Sequence, residues 1–216
     1  MRRAGAALVV LLGAAPASAA GRDGEGLIQF APSLRAPLNA GFLDEARGNG
    51  EGIQGGNFNL APGAFVTFGY FADEQVEIGI EGGYSRDWIG VTAANPWLLN
   101  EETLQATVRY VPWTDWNLWP YVGAAFGYSL NAFNGTALPH YEDAEGFGGA
   151  LFAGSGWDLS AHFGVSLELR WTIASIVVPG FTHAFDVGGP TILAGFYWVL
   201  PHEDELSHPA TPPSLE

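Results

Sequence analysis

The chain has 216 residues, no cysteine and no lysine, and a formal net charge of −15 at pH 7. This charge disfavours a nucleic-acid partner, and the lack of cysteine excludes disulfides, thiolate metal sites and a cysteine nucleophile. Charged residues make up 14 % and aromatic residues 13 %, with 30 glycines and eight tryptophans. An ordinary water-exposed domain has about 25 % charged residues, so the composition is not that of a typical soluble protein.

The first residues have the pattern of a secretory signal peptide. Arg2 and Arg3 precede the apolar stretch Ala6–Ala15, and Ala17–Ala19 is a small-residue cleavage motif. The apolar stretch is too short to span a bilayer as a helix, which requires roughly 20 apolar residues. We therefore predict a signal peptide over residues 1–19 and an exported chain.

Beyond this segment, charges, glycine or proline interrupt every apolar run, so the sequence predicts no further transmembrane helix. A membrane protein without spanning helices must pair its backbone groups between strands, and only a closed barrel pairs all of them. Period-two alternation predicts eight strands, with Pro32 indicating a bulge or bend in the first and glycines leaving the facing of the sixth open. In chain order the strands are Gly26–Arg35, Ala61–Phe71, Gln75–Ser85, Thr103–Tyr110, Pro120–Leu130, Phe147–Gly156, Ala161–Ile173 and Thr191–Leu200.

The connections between these strands alternate in length. Short turns follow the second, fourth and sixth strands, at Ala72–Glu74, Pro112–Leu118 and Trp157–Leu159. Long loops follow the first, third, fifth and seventh, at Ala36–Leu60, Arg86–Glu102, Asn131–Gly146 and Ala174–Pro190. Short periplasmic turns and long extracellular loops are typical of outer-membrane barrels.

This pattern predicts an all-β fold, an eight-stranded antiparallel up-and-down transmembrane β-barrel over residues 20–200. We expect it in the outer membrane of a Gram-negative bacterium, with both termini in the periplasm. Pro201–Glu216 is acidic, rich in proline and poor in apolar residues. It is predicted to be a disordered periplasmic tail.

Tryptophans cluster at the predicted strand ends. Aromatic rings prefer the interface between membrane and water, so seven of the eight are expected to form an aromatic girdle. They are Trp88, Trp113, Trp116, Trp119, Trp157, Trp171 and Trp198. The eighth, Trp97, lies in a predicted loop.

Two strands resemble those of a known family. Pro120–Tyr128, PYVGAAFGY, resembles the fifth strand of the OmpA-like and OmpX-like outer-membrane barrels, and Gly164–Thr172, GVSLELRWT, resembles their seventh. The resemblance covers roughly residues 27–200 and implies the barrel fold, with an acidic and a basic residue of the seventh strand pointing into the lumen. The chain departs from the family at its end: the tail is too short for a peptidoglycan-binding domain, and the last strand does not close the chain on phenylalanine, so an assembly signal must be internal.

The polar faces of the predicted strands carry the candidate functional residues. If the apolar faces meet lipid, ionisable side chains point into a lumen that eight strands make narrow. They are Glu77, Glu81, Arg109, His162, Glu168 and Arg170. Buried charges must be paired, so we expect a plug of ion pairs, with glycines 79, 83, 123, 127 and 164 making room. The alternative is a gate whose pairs exchange to pass small solutes.

The expected function is a structural or surface-interaction role through acidic extracellular loops. Ten acidic residues fall in the predicted loops: Asp44, Glu45, Glu51, Asp87, Glu101, Glu102, Glu142, Asp143, Glu145 and Asp186. Alternatives are a porin-like channel for small solutes or hydrophobic molecules, a barrel enzyme that modifies lipid A, and a soluble lipocalin-like barrel that binds a ligand between its apolar faces.

Enzymatic activity is not expected. Ser175 and His183 are the residues that the lipid A alternative would need, but no His stands beside a Ser in a late strand, and His162 with Glu168 lacks a metal-binding motif. We predict no catalytic residue, no metal and no cofactor. The expected partners are outer-membrane lipid and lipopolysaccharide together with the barrel assembly machinery, and the expected state is a monomer.

Overall fold

The computed structural model describes residues 22–36, 60–89, 97–113, 117–134, 144–177, 184–186 and 188–200. Within them the chain forms nine strands. Their bounds are β1 Gly26–Arg35, β2 Ala61–Asp73, β3 Val76–Ile89, β4 Trp97–Tyr110, β5 Leu118–Asn134, β6 Ala144–Ser160, β7 Phe163–Val177, β8 Ala184–Asp186 and β9 Gly189–Leu200. The predicted signal peptide and tail lie outside the described residues.

Eight of these strands close into a barrel. All pairings are antiparallel, and each strand from β1 to β7 pairs with the next. β9 lies between β7 and β1, with Gly26 opposite Leu200, and so joins the two ends of the sheet. The short β8 pairs with the end of β7, Ser175 opposite Asp186, and takes no part in closure. The predicted eight-stranded antiparallel barrel is confirmed.

The outer face of the barrel is apolar, whereas its interior holds the buried polar and charged side chains together with an apolar cluster. Large exposed side chains such as Leu104, Phe126 and Leu151 cover the outer face, whereas Gln29, Gln105 and many charged groups are buried within. A soluble barrel needs the reverse arrangement, because its outer face meets water. The lipocalin-like alternative is therefore wrong. Among the described residues, no helix is long and apolar enough to cross a membrane.

Several predicted strand ends are wrong, because the strands run further than the clear alternation does. β3 continues to Ile89 and β4 begins at Trp97, so the predicted loop Arg86–Glu102 is largely strand. β6 continues to Ser160, which places Trp157 in a strand instead of a turn. The sequence left the facing of the sixth strand open. In the structure Leu151 of β6 points outward and Phe152 points inward.

The irregularity predicted at Pro32 is not a bulge. The β1–β2 register is continuous through Pro32, and the β1–β9 register keeps the same alignment on either side of it. The β1–β9 ladder lacks pairs at Ala31 and Pro32, because proline has no N–H to donate.

We name the two ends of the barrel by their connections. The short-turn end holds the connections of residues 74–75, 111–117 and 161–162, together with the first residue of β1 and the last of β9. The long-loop end holds the connections of residues 36–60, 90–96 and 135–143, and the one of residues 178–188 that contains β8. Three of the four connections at the long-loop end are longer than those at the short-turn end, as predicted. The connection of residues 90–96 is an exception, because the extension of β3 and β4 shortens it to the length of the connection of residues 111–117.

Inward-facing glycines let the wall and its contents approach closely. A Cβ on Gly127 would lie 2.0 Å from the carbonyl oxygen of Leu104 on the neighbouring strand, a backbone atom that no side-chain rotation can move. A Cβ on the outward-facing Gly82 would meet nothing closer than 4.0 Å. Position 127 therefore requires glycine because the neighbouring backbone leaves no space for a side chain.

This difference gives a matched test. Gly127→Ala is expected to destabilise the folded barrel by about 1–3 kcal/mol, the usual cost of overpacking, whereas Gly82→Ala is expected to be nearly neutral. Urea unfolding of the protein reconstituted in lipid vesicles measures both. Equal stability of the two variants would contradict the close β4–β5 approach.

Candidate functional site

A network of five charged side chains crosses the middle of the lumen, and we call it the central network. It consists of Glu77 and Glu81 on β3, Arg109 on β4, and Glu168 and Arg170 on β7. All five are at most 3 % exposed. Alternation turns them inward, and the register places Glu77 directly opposite Arg109.

Pairing within the central network spans the lumen. Counting around the wall, β3 and β7 are four strands apart in a ring of eight and therefore face each other. Arg170 on β7 nevertheless donates through both terminal nitrogens to Glu81 on β3, with Nη2 at 2.9 Å from Oε2. Arg170 Nε also donates to Glu168 at 2.9 Å. One guanidinium thus ties opposite walls together.

The remaining members extend the network sideways. Arg109 Nη1 donates to Glu77 Oε1 at 2.9 Å, and its Nη2 lies 3.8 Å from Glu168 Oε2. The Tyr121 hydroxyl donates to Glu168 at 3.0 Å. Glu168 therefore bridges both arginines, and three carboxylates share two guanidiniums.

Aromatic rings enclose the arginines of the central network. The Arg109 guanidinium carbon lies 5.2 Å from the Tyr121 ring centroid and 5.6 Å from that of Phe152. Arg170 lies 5.0 Å from Phe152 and 4.8 Å from Phe65. These cation–π contacts exclude water from the ion pairs and so strengthen them.

A second group of charges, the outer network, lies nearer the long-loop end. Arg35 on β1 donates to Glu101 on β4, and its Nη2 lies 3.0 Å from both Asp87 Oδ2 and Ser85 Oγ. Ser129 donates to Glu101 at 3.2 Å. All five residues are less than 10 % exposed. The lumen is therefore crossed by charges at two levels.

The outer network was missed because Asp87 and Glu101 were assigned to a loop, and this assignment is wrong. Both lie on strands and point inward. A signal was present in the sequence, since Glu77, Glu81, Ser85 and Asp87 stand an even number of residues apart and so share one face of a strand.

Aromatic and aliphatic side chains fill the lumen at the short-turn end, and we call them the aromatic layer. They belong to one cluster of buried residues that also contains Ala125 and Ala150. The members of the layer are Leu27, Phe71, Val111, Trp119, Tyr121, Phe152, Tyr197 and Val199. Trp119 and Tyr197 meet edge to face with centroids 5.4 Å apart. Solutes would have to displace this layer as well as the two charged networks.

The space between the central and outer networks is small. A cavity of about 20 Å³ lies between the two networks, and Arg35, Glu101, Thr103, Arg170 and Thr191 are among its lining residues. This volume holds about one water molecule. A larger groove of about 630 Å³, lined by residues such as Leu34, Leu169 and Ile192, lies on the lipid-facing surface and not in the lumen.

Two predicted positions are wrong. His162 is exposed in the turn of residues 161–162, so it does not face the lumen and does not meet Glu168. Trp119 is 2 % exposed and points into the barrel, because its indole N–H donates to Tyr197 Oη at 3.1 Å and to Asp158 Oδ1 at 3.2 Å. A strand-end position alone does not tell an inward ring from an outward one.

The other candidates have the following positions. The girdle candidates Trp113, Trp157, Trp171 and Trp198 are exposed on the outside. The side chain of Trp88, the whole of Trp116 and His183 lie outside the described residues. Ser175 is exposed on β7. The described residues contain no group of three His, Asp or Glu side chains arranged to hold a metal ion.

Breaking the central network is expected to destabilise the barrel. Glu81→Ala removes the bidentate partner of Arg170 and should cost about 3–5 kcal/mol, as the loss of one partner of a buried ion pair does. Glu102→Ala on β4, whose side chain is exposed, is the control and should change stability by less than about 0.5 kcal/mol.

A double-mutant cycle checks the pairing itself. The losses of Glu81→Ala and Arg170→Ala should sum to more than the loss of the double variant by about 0.5–3 kcal/mol, as for residues in direct contact. Urea unfolding in vesicles measures all three. Additive losses would show that the two side chains do not interact.

Three solved outer-membrane barrels are similar to this chain. OprG from Pseudomonas aeruginosa matches with a TM-score of 0.54 at 15 % identity over 86 % of this chain and 99 % of its own. Neisserial surface protein A matches with a TM-score of 0.57 at 13 % identity over 82 % and 99 %. Ail of Yersinia pestis, in complex with the heparin analogue sucrose octasulfate, matches with a TM-score of 0.52 at 11 % identity over 82 % and 99 %.

At these identities the likeness shows the fold. The chain has the architecture of small eight-stranded outer-membrane barrels, as the resemblance to OmpA-like and OmpX-like barrels implied. No protein-family model and no curated protein sequence matches it.

Proposed function

We propose that this chain is an integral outer-membrane barrel with a closed lumen, and that it acts as a structural or surface-interaction protein through its long-loop end. The observation that carries the proposal is the filled interior. Two charged networks and the aromatic layer cross the lumen in series, and the cavity between the networks has room for about one water molecule. We infer that a solute would have to displace these side chains to pass.

Polar side chains on the outer face support a membrane position and mark where the lipid-facing surface ends. Near the long-loop end, Tyr84 Oη and Arg86 Nε both donate to Asn100 Oδ1, at 2.9 and 3.1 Å. On the next strands Tyr128 donates to Glu145. These groups are exposed, whereas the outer face closer to the short-turn end is apolar. The strands therefore extend beyond the lipid at the long-loop end.

We assign the long-loop end to the cell exterior and the short-turn end to the periplasm, since this is the arrangement that outer-membrane barrels share. The start of β1 and the end of β9, and with them both termini of the chain, then face the periplasm. The predicted signal peptide is consistent with this route of export.

The chain has no cysteine, which makes this orientation directly testable. Ala40→Cys, in the connection after β1, should react with a membrane-impermeant maleimide on intact cells. Glu74→Cys, in the short turn after β2, should react only after the outer membrane is opened. Labelling of both variants, or of Glu74→Cys alone, on intact cells would contradict the orientation.

The charge of the long connections indicates which kind of partner the long-loop end can contact. The connections of residues 37–59, 90–96, 135–143 and 178–183 hold five acidic residues and one arginine. The sequence prediction counted ten acids, but Asp87 and Glu101 are inside the barrel, and Glu102, Glu145 and Asp186 lie on strands. The balance remains negative, so we propose a cationic surface or divalent cations as contacts. The heparin analogue bound to Ail is a polyanion, and this chain's acidic loops would repel such a ligand.

The channel alternative makes an opposite prediction for ion flow. The native protein in planar bilayers should show no conductance steps above leak. Glu81→Ala should also remain silent, because the outer network and the aromatic layer are still in place. Regular steps from the native protein would overturn the closed lumen. Steps from Glu81→Ala alone would show that the central pairs form a gate.

A further inference from the structure

The short-turn end of the lumen contains a carboxylate surrounded by aromatic rings, which we call the mouth cage. It is formed by Asp158 on β6, Phe71 on β2, Trp119 on β5 and Tyr197 on β9. The Tyr197 hydroxyl donates to Asp158 Oδ1 at 2.6 Å, and Trp119 Nε1 donates to the same oxygen at 3.2 Å. These two hydrogen bonds fix the carboxylate among the rings.

The wall is shaped to hold the rings of the mouth cage. A Cβ on Gly156 would lie 2.1 Å from the Trp119 ring, and one on Gly164 would lie 2.2 Å from the Tyr197 ring. Any larger residue at either position would push a ring out of place. The cage is therefore a built feature of four strands and not a chance contact.

Arg22, which precedes β1, occupies the mouth cage. Its Nη2 lies 2.6 Å from both oxygens of Asp158. Its guanidinium carbon is 4.5 Å from the Trp119 ring centroid, 5.5 Å from Phe71 and 6.0 Å from Tyr197. A cation held by a carboxylate and by several aromatic faces is the arrangement by which proteins recognise guanidinium and alkylammonium groups.

The mouth cage favours the charged form of Arg22. Burial by itself lowers the pKa of the Arg22 guanidinium, but the hydrogen bond and the charge of Asp158 together raise that pKa above its ordinary value. Arg22 Nη1 is buried without a hydrogen-bond partner. The cage thus binds Arg22 through the single nitrogen Nη2 and through its ring contacts.

The occupant and the cage belong to different parts of the fold. The four cage residues stand in the barrel wall, whereas Arg22 stands in a turn before the first strand, held there by a hydrogen bond from Gly24 N to Phe71 O at 2.9 Å. If Arg22 leaves, Asp158 keeps its hydrogen bonds from Trp119 and Tyr197. The site therefore does not depend on its internal ligand for its shape.

We propose that the mouth cage is a guanidinium-binding site, that Arg22 is its intramolecular ligand, and that the cage accepts the guanidinium group of another molecule when Arg22 is absent or displaced. In the orientation proposed above, such a molecule is an arginine-bearing peptide or protein segment in the periplasm. The site itself does not depend on that orientation or on whether the lumen conducts, so a failed labelling or conductance experiment leaves it untouched.

Chemical rescue tests the site. Arg22→Ala in the full mature chain, folded in detergent, should lower the midpoint of thermal unfolding by several degrees. Millimolar methylguanidinium should restore most of that loss, and methylammonium should restore less of it, because it lacks the planar, delocalised cation that stacks on aromatic faces. Sodium chloride at the same concentration should restore none of the lost midpoint. The native protein should not respond, since its cage is filled.

Two controls make the result specific. Arg22→Ala combined with Asp158→Asn should lose the rescue, and Arg86→Ala, which removes an exposed arginine of the outer face, should neither lower the midpoint nor respond to methylguanidinium. Rescue of equal size with and without Asp158, or no rescue of a destabilised Arg22→Ala, would overturn the proposal.

Nuclear magnetic resonance gives a second measurement that does not depend on stability. Methylguanidinium should shift the indole N–H signal of Trp119, identified by its loss in Trp119→Phe, in Arg22→Ala but not in the native protein. If Arg22→Ala does not fold, Arg22→Lys serves instead, because lysine lacks the planar guanidinium that stacks on aromatic rings. An unmoved Trp119 signal would overturn the proposal.

Discussion

The contact between Arg170 and Glu81 is the interaction on which the interior depends. It joins two strands on opposite sides of the ring, so it sets how the lumen is filled at its middle. An eight-stranded barrel is just wide enough for side chains to meet across it. A charge buried there without a partner costs several kcal/mol, roughly the whole net stability that many proteins have. The rest of the central network follows from this requirement, since each further charge needs its own partner.

The side chains that pair across the lumen also limit the size of the wall residues beside them. Side chains that reach to the centre need empty wall positions beside them, and inward-facing glycines supply that space. A Cβ on Gly69 would fall 2.2 Å from the Glu77 carboxylate, and one on Gly123 would fall 2.3 Å from the Phe152 ring. The abundance of glycine in a strand-rich chain, which weakens strands in other proteins, is here the condition for a filled interior.

The interior changes in character along its axis. Charged pairs occupy the middle and the part nearer the long loops, whereas aromatic rings close the short-turn end around Asp158 and Arg22. A single exchange of ion pairs would therefore open one level and leave the others shut. This series arrangement is the basis for proposing a closed barrel that works through its surface and through its mouth, and not through flow along its axis.

The sequence by itself determined the class of fold, the number of barrel strands, three of the four long connections, and the inward facing of Glu77, Glu81, Arg109, Glu168 and Arg170. It could do so because period-two alternation is a local property, and a residue's face is fixed by its neighbours in the same strand.

The tertiary structure decided which inward groups meet. Arg35 with Glu101, Arg170 with Glu81 and Arg22 with Asp158 are separated by 66, 89 and 136 residues. Partners this remote depend on strand order and register around a closed ring, and alternation within one strand carries no information about either. For the same reason the sequence predicts Trp119 on the outside. In the structure its ring lies in the lumen, where Gly156 has no side chain to collide with it.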